Sequence, residues 1–345
     1  MAMASHLLIL LVGAVAVTAA TETAHFLGVN YGRLGDDLPP PPIALELARS
    51  AGAAAVRFYD ANDTFLSPAA ASGLLFVPGV PNELIPNLAA SQLAADEWVA
   101  ATLLPFRRNR RFRYLFVGNE VLSDPTTKSR WFQLVPAMAN LRRALRRHGM
   151  RRVKVSTTVG MDAIVGQDVF PPSAAAFRAD IAGDVVRPLI AFLERTGSYL
   201  FVDAYTYFTW RANHTVVPLH YALLETASSS PSSPSTSPAF QYYDEGTGLY
   251  YENLFDQMLD AVVAAMCRLG HCGVRLAVAE TGWPNAGDLD EFGANARNAA
   301  TYNRNVARRL ASGAGTLRRP GMTMPAFVFA LFNENLKTGP TTERH

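Results

Sequence analysis

Residues 277–283 read AVAETGW and residues 116–121 read FVGNEV. Each is a short run of small or apolar side chains that reaches a glutamate near its downstream end, Glu280 in the first and Glu120 in the second. Runs that are continuously apolar rather than alternating are covered on both faces, which marks strands of a parallel sheet with helices outside it. A carboxylate carried at the downstream end of such a strand stands at the rim of the sheet, where α/β folds gather their chemistry.

Working outward, similar runs span Phe26 to Gly32, Ala54 to Asp60, Leu74 to Pro81, Tyr114 to Val121, Val153 to Gly160, Tyr199 to Phe208, Val274 to Gly282 and Pro325 to Glu334. Helical patterns fall between them at Ile43 to Ser50, Ser91 to Leu104, Pro136 to His148, Val185 to Thr196, Glu252 to Cys267 and Ala294 to Ser312. Eight strand–helix units predict a single (β/α)8 TIM barrel of the α/β class. The rival, a doubly wound open sheet, expects a glycine-rich phosphate loop after an early strand, and VNYGRLG lacks that spacing. Polar residues collect where a barrel needs them: Asn30 and Tyr31 on strand 1, Tyr59 and Asp60 on strand 2, Asn119 and Glu120 on strand 4, Tyr205 and Tyr207 on strand 6, Glu280 on strand 7, Asn333 and Glu334 on strand 8.

The 345 residues carry 49% hydrophobic and 17% charged side chains and a net charge of +2, enough apolar content for a large core and too little charge to imply a polyanionic partner. Arginine clusters at 107–113 and 142–152 read as solvated faces rather than a nucleic-acid surface. Residues 1–24 have the apolar core and small-residue tail of a secretory leader, although a basic start is missing; residues 25–345 form the barrel domain. No later segment is long and apolar enough to span a membrane. Cys267 and Cys272 permit one local bridge after export without requiring it. The Ser/Pro-rich stretch 227–238 reads as a surface loop, and Asn62 and Asn213 head glycosylation sequons. His148, His214 and His271 stand singly, a poor basis for metal ligation.

The motifs GVNYGRLGDDLPPP, VRFYDAND, FVGNEVL, AVAETGWPNAGD and FALFNENLKTGP, in this order, resemble the plant family 17 glycoside hydrolases, the endo-β-1,3-glucanases, from about Phe26 to the last residue. The resemblance implies retaining endo-hydrolysis of β-1,3-glucans through a covalent glycosyl-enzyme intermediate, with Glu120 as general acid and base and Glu280 as nucleophile. Such a mechanism expects the two carboxyl groups about 5 to 5.5 Å apart. It further implies substrate-binding roles for Asn30, Tyr31, Tyr59, Asn119, Tyr205, Trp283, Glu334, Lys337 and Glu343. Asn119 would hold the sugar 2-hydroxyl, and Glu334 and Glu343 would orient Lys337. Aromatic faces at Tyr31, Tyr59, Tyr205, Phe208 and Trp283 are candidates for packing sugar rings.

The implied partner is a β-1,3-glucan; neither metal nor cofactor is needed, and a monomer secreted to the extracellular space, the cell wall or the vacuole is expected. A catalytically weak glucan-binding wall protein and a β-1,3-glucan transglycosylase are the alternatives. Two departures stand out. Thr206 replaces the family's usual proline, which should alter local stiffness. The chain ends at His345, directly after an ERH that in relatives leads into a further tail, so the wall beside strand 8 is expected to be less well covered.

Overall fold

The structure is a computed structural model that describes residues 26–165, 170–225 and 240–345; the expected leader and the stretch 227–238 lie outside these residues. Eight wall strands follow one another along the chain: β1 (Phe26–Asn30), β2 (Ala55–Arg57), β3 (Leu75–Val77 and Gly79–Val80), β4 (Tyr114–Val117), β5 (Lys154–Ser156 and Thr158–Gly160), β6 (Tyr199–Asp203), β7 (Arg275–Thr281) and β8 (Pro325–Val328). Every neighbouring pair is parallel. One sheet runs β3–β2–β1–β8–β7–β6–β5 and a second β3–β4–β5. Strands β3 and β5 break at Pro78 and Thr157 and lend a piece to each sheet, so the wall curls into a TIM-barrel-like ring. Pro78 has no N–H for a ladder, but its carbonyl accepts from the Phe116 amide at 3.1 Å and ties β3 to β4.

Side-chain alternation divides each strand between two cores. Phe26, Ala55, Val77, Tyr114, Phe116, Tyr199, Phe201, Ala277, Ala279 and Phe327 form an inner cluster within the ring, where the rings of Phe116 and Phe201 lie 4.5 Å apart. Burying each large side chain is worth about 2 kcal/mol. The next inward side chains above this cluster on β1, β2 and β6 are Asn30, Arg57 and Asp203, all at most 2% exposed. An apolar plug therefore carries a polar layer on top. Strand β7 reaches that layer differently. Its register against β6 slips between Val278 and Glu280, so that Glu280 rather than Ala279 stands opposite Asp203. A bulge of this kind re-aims a side chain, and here it turns Glu280 inward.

Several expected boundaries are corrected. The sixth strand ends at Asp203, and a helix runs over Thr206–Asn213, so Tyr205 precedes that helix and Tyr207 lies on it. Thr206 occupies the first helical position, which also tolerates proline; its hydroxyl donates to the Ala222 carbonyl at 3.0 Å. The eighth strand ends at Val328, leaving Asn333 and Glu334 in the following loop. The helix expected from Pro136 begins at Lys128. Its buried face is set by Trp131, Leu134, Met138, Leu141 and Leu145, a three-and-four spacing that offsets the proline within it. Cys267 and Cys272 are paired. No helix among the described residues is long and apolar enough to cross a membrane.

Candidate active site

The polar layer opens into a cavity of about 340 Å³ whose lining includes Glu120, Glu280, Asp203, Tyr205, Trp283 and Lys337. Glu280 is 6% exposed and accepts three side-chain hydrogen bonds. Its Oε1 accepts from Arg57 Nη1 at 2.8 Å and from the Tyr59 hydroxyl at 2.7 Å, and its Oε2 accepts from the Tyr205 hydroxyl at 2.6 Å. Burial, then the charge of Glu280, push both phenols well above their ordinary range, so they remain protonated donors. A guanidinium and two hydroxyls together suit an anion, which offers only accepting lone pairs.

Arg57 is the organiser and was not among the expected site residues. It is 1% exposed. Nη1 also donates to Asn30 Oδ1 at 3.1 Å and to the Ala279 carbonyl at 3.2 Å, while Nη2 donates to Asn119 Oδ1. Its guanidinium carbon lies 4.6 Å from the Tyr59 ring centre and 5.0 Å from that of Phe116. The sequence signal was present: a lone cation within AAAVRF, a run otherwise covered on both faces, needs buried anionic or carbonyl partners.

Glu120 follows the left-handed turn that ends β4, with Gly118 at φ 72° and Glu120 itself at φ 45°. Such backbone costs about 1 kcal/mol or more for a residue with a Cβ and persists only when it is held. Asn82 holds it, accepting from the Asn119 amide at 2.8 Å and donating to the Asn119 carbonyl at 3.0 Å; the Glu120 amide donates to Thr158 Oγ1 at 3.1 Å. Across the gap, a Cβ at Gly160 would stand 2.8 Å from Glu120 Oε1 and 2.6 Å from Asp162 Oδ1, so any side chain there would have to displace both carboxylates. Burial first, then Glu280 and Asp162, raise the Glu120 carboxyl to about 7, against the opposing pull of Arg57 and Lys337. One carboxyl is thus built to keep a proton, and its neighbour is surrounded by donors.

The other expected residues divide. Tyr59, Asn119, Tyr205, Trp283, Lys337 and Glu343 gather around the pair or along the cavity wall. Trp283 donates from Nε1 to the Gly293 carbonyl at 2.8 Å and is 4% exposed. Lys337 pairs with Glu343 at 3.0 Å and lies 4.6 Å from the Phe329 ring centre. Glu334 does not orient it. That carboxylate accepts from the Leu34 amide at 2.8 Å and fills the space left by the missing side chain of Gly32. Asn30 is fully buried beneath the site, its amide donating to the Ala279 carbonyl at 3.1 Å. Tyr31 is corrected outright: strand alternation turns it outward, 1% exposed among Phe58, Phe65 and Phe332. Besides Arg57, sequence reasoning missed Asp203, Asp162 and Met161, which share the cavity wall. Among the described residues no group of His, Cys, Asp and Glu is arranged to hold a metal ion.

The family described as "Glycosyl hydrolases family 17" matches residues 27–345. "Probable glucan endo-1,3-beta-glucosidase A6" of Arabidopsis thaliana is 42% identical over 326 residues, 94% of this chain and 65% of its own. "Glucan endo-1,3-beta-glucosidase GI" of Hordeum vulgare is 37% identical over 92% of this chain and 94% of its own. Among solved structures, "CJP38, a beta-1,3-glucanase and allergen of Cryptomeria japonica pollen" superposes with a TM-score of 0.83 at 35% identity, covering 93% of this chain and 94% of that one. The chain spans 65% of the length of the first Arabidopsis relative and 60% of two further ones.

Proposed function

The chain belongs to glycosyl hydrolase family 17, and from that premise we propose that it is a (β/α)8-barrel endo-β-1,3-glucanase that works with retention, Glu120 serving as acid and base and Glu280 as nucleophile. The observation that carries the reading is the unequal environment of two carboxyls in one cavity: Glu280 beneath three donors, and Glu120 raised to about 7 by burial and neighbouring acids. Environments that push paired carboxyls apart assign acid and nucleophile.

The steps follow from these charge states. Glu120 gives its proton to the bridging oxygen of the glucosidic bond while a Glu280 oxygen bonds to the anomeric carbon, and the C–O bond to the leaving sugar breaks. Glu120, now ionised, takes a proton from water; that water oxygen attacks the anomeric carbon, the Glu280 ester bond breaks, and both residues regain their starting states. Arg57, Tyr59 and Tyr205 keep Glu280 in place throughout. Asn119, whose Oδ1 is occupied by Arg57 and Thr158, offers its NH2 to the 2-hydroxyl. Phe208 and Trp283 supply apolar faces along the cavity wall. We further propose that residues 1–24 act as a secretory leader that directs the enzyme to the extracellular space, the cell wall or the vacuole, where glucan is encountered.

Glu280→Gln tests the reading. Release of reducing ends from soluble β-1,3-glucan should vanish while far-UV circular dichroism still reports folded protein. Full activity in that variant contradicts the assignment.

A further inference from the structure

Asp203 is a third carboxyl group in the cavity, without a part in the steps above. It closes β6, is 2% exposed and faces the same space as Glu120 and Glu280. The ladder sets it between them. Its backbone pairs with Glu280 of β7 and with Gly160 of β5, and it is at Gly160 that the Glu120 carboxylate approaches. Neither Asp203 oxygen has a hydrogen-bond partner among the described residues. Thr158, the adjacent hydroxyl, donates to Asn119 Oδ1 at 3.0 Å, and lies close enough to Asp203 to favour its anion slightly. Arg57 commits both terminal nitrogens to Asn30, Ala279, Glu280 and Asn119.

A buried polar group without a partner calls for a reason, and at the floor of a ligand cavity the reason is the ligand. Charge is disfavoured there. Burial, then Glu280, then Glu120 raise Asp203 well above the usual carboxylate range, opposed by Arg57 and by the nearby Thr158 hydroxyl; Tyr59 and Tyr205, which also face it, are neutral phenols. We propose that Asp203 is a substrate-binding residue that acts as a neutral carboxylic acid, donating its O–H to one hydroxyl, and accepting through its carbonyl from another, of the glucosyl unit lodged between Glu120 and Glu280. The assignment deepens the glucanase reading and rests on it.

The test compares wild type, Asp203→Asn and Asp203→Leu on soluble β-1,3-glucan, with β-1,3-linked glucobiose as competitive inhibitor. An inhibition constant does not depend on the fraction of enzyme that is folded, so it reports contact rather than stability. It should rise about tenfold in D203L and about threefold in D203N, which keeps one donor and one acceptor. The alkaline limb of kcat/KM, set by Glu120, should stay at its wild-type pH in D203N, because no charge has been removed. An inhibition constant within about twofold of wild type in D203L, or in D203N where D203L does not fold, overturns the contact. A D203N limb displaced downward by about half a pH unit or more overturns neutrality, since a lost anion makes Glu120 easier to ionise. If wild type neither cleaves the glucan nor binds glucobiose, this assignment and the glucanase reading fall together; normal wild-type activity with unchanged inhibition sinks this assignment alone.

Discussion

Arg57 decides more of the site than either glutamate. One guanidinium touches Asn30, Asn119, Ala279 and Glu280, and so ties residues from β1, the end of β4 and β7 together. Removing one partner of a buried ion pair leaves the other charge uncompensated, at a cost of about 3–5 kcal/mol. Arg57→Met should therefore lower the urea midpoint sharply, and adding Glu280→Gln should recover part of the loss, because the orphaned anion is gone. Additive losses in the double variant would contradict the coupling. Urea unfolding of the two single variants and the double variant completes the cycle.

At the scale of elements, the curled sheet brings glutamates from two distant strand ends together, and two backbone devices finish the aim. The slip in β7 turns Glu280 inward, and the left-handed turn after β4 lifts Glu120 over Gly160. Gly160→Ala puts a methyl against Glu120 Oε1 and should cost about tenfold or more in kcat/KM with little change in secondary structure. Kinetics beside circular dichroism check this, and unaltered kcat/KM would show that the close approach does not matter. The strands were legible because they are continuously apolar, as were the two glutamates that punctuate them. Their ends were not: DAYTYF continues a strand-like aromatic alternation, yet the chain turns into a helix at Thr206. Pro136 looked like a first helical residue, but buried contacts from Trp131 and Leu134 carry the helix back to Lys128. Tyr31 illustrates the limit of placing residues by strand end alone, since alternation sends adjacent side chains to opposite faces. Asp203 and Arg57 passed as strand interior because only the closed ring shows that their inward faces meet.

For the whole molecule, the acid that the mechanism needs makes the fold sensitive to pH. Glu120 ionises at about 7 in the folded chain against 4.5 for the ordinary group. Between those values the unfolded chain has released this proton and the folded chain has kept it, so the unfolded state binds fewer protons and stability falls as pH rises. The loss is on the order of 3 kcal/mol when complete. Glu120→Gln should accordingly match wild type in thermal midpoint near pH 4 and exceed it by several degrees near pH 8. Equal midpoints at both pH values would contradict the raised carboxyl.

In the proposed mechanism the same two carboxyls govern the stereochemistry of cleavage, which is the most direct probe of the account. Proton NMR of the reducing ends formed in the first moments of β-1,3-glucan hydrolysis, before mutarotation, distinguishes the anomers. Attack by Glu280 followed by water predicts that the β anomer appears first. First appearance of the α anomer would mean a single displacement by water, and would remove Glu280 from the role of nucleophile.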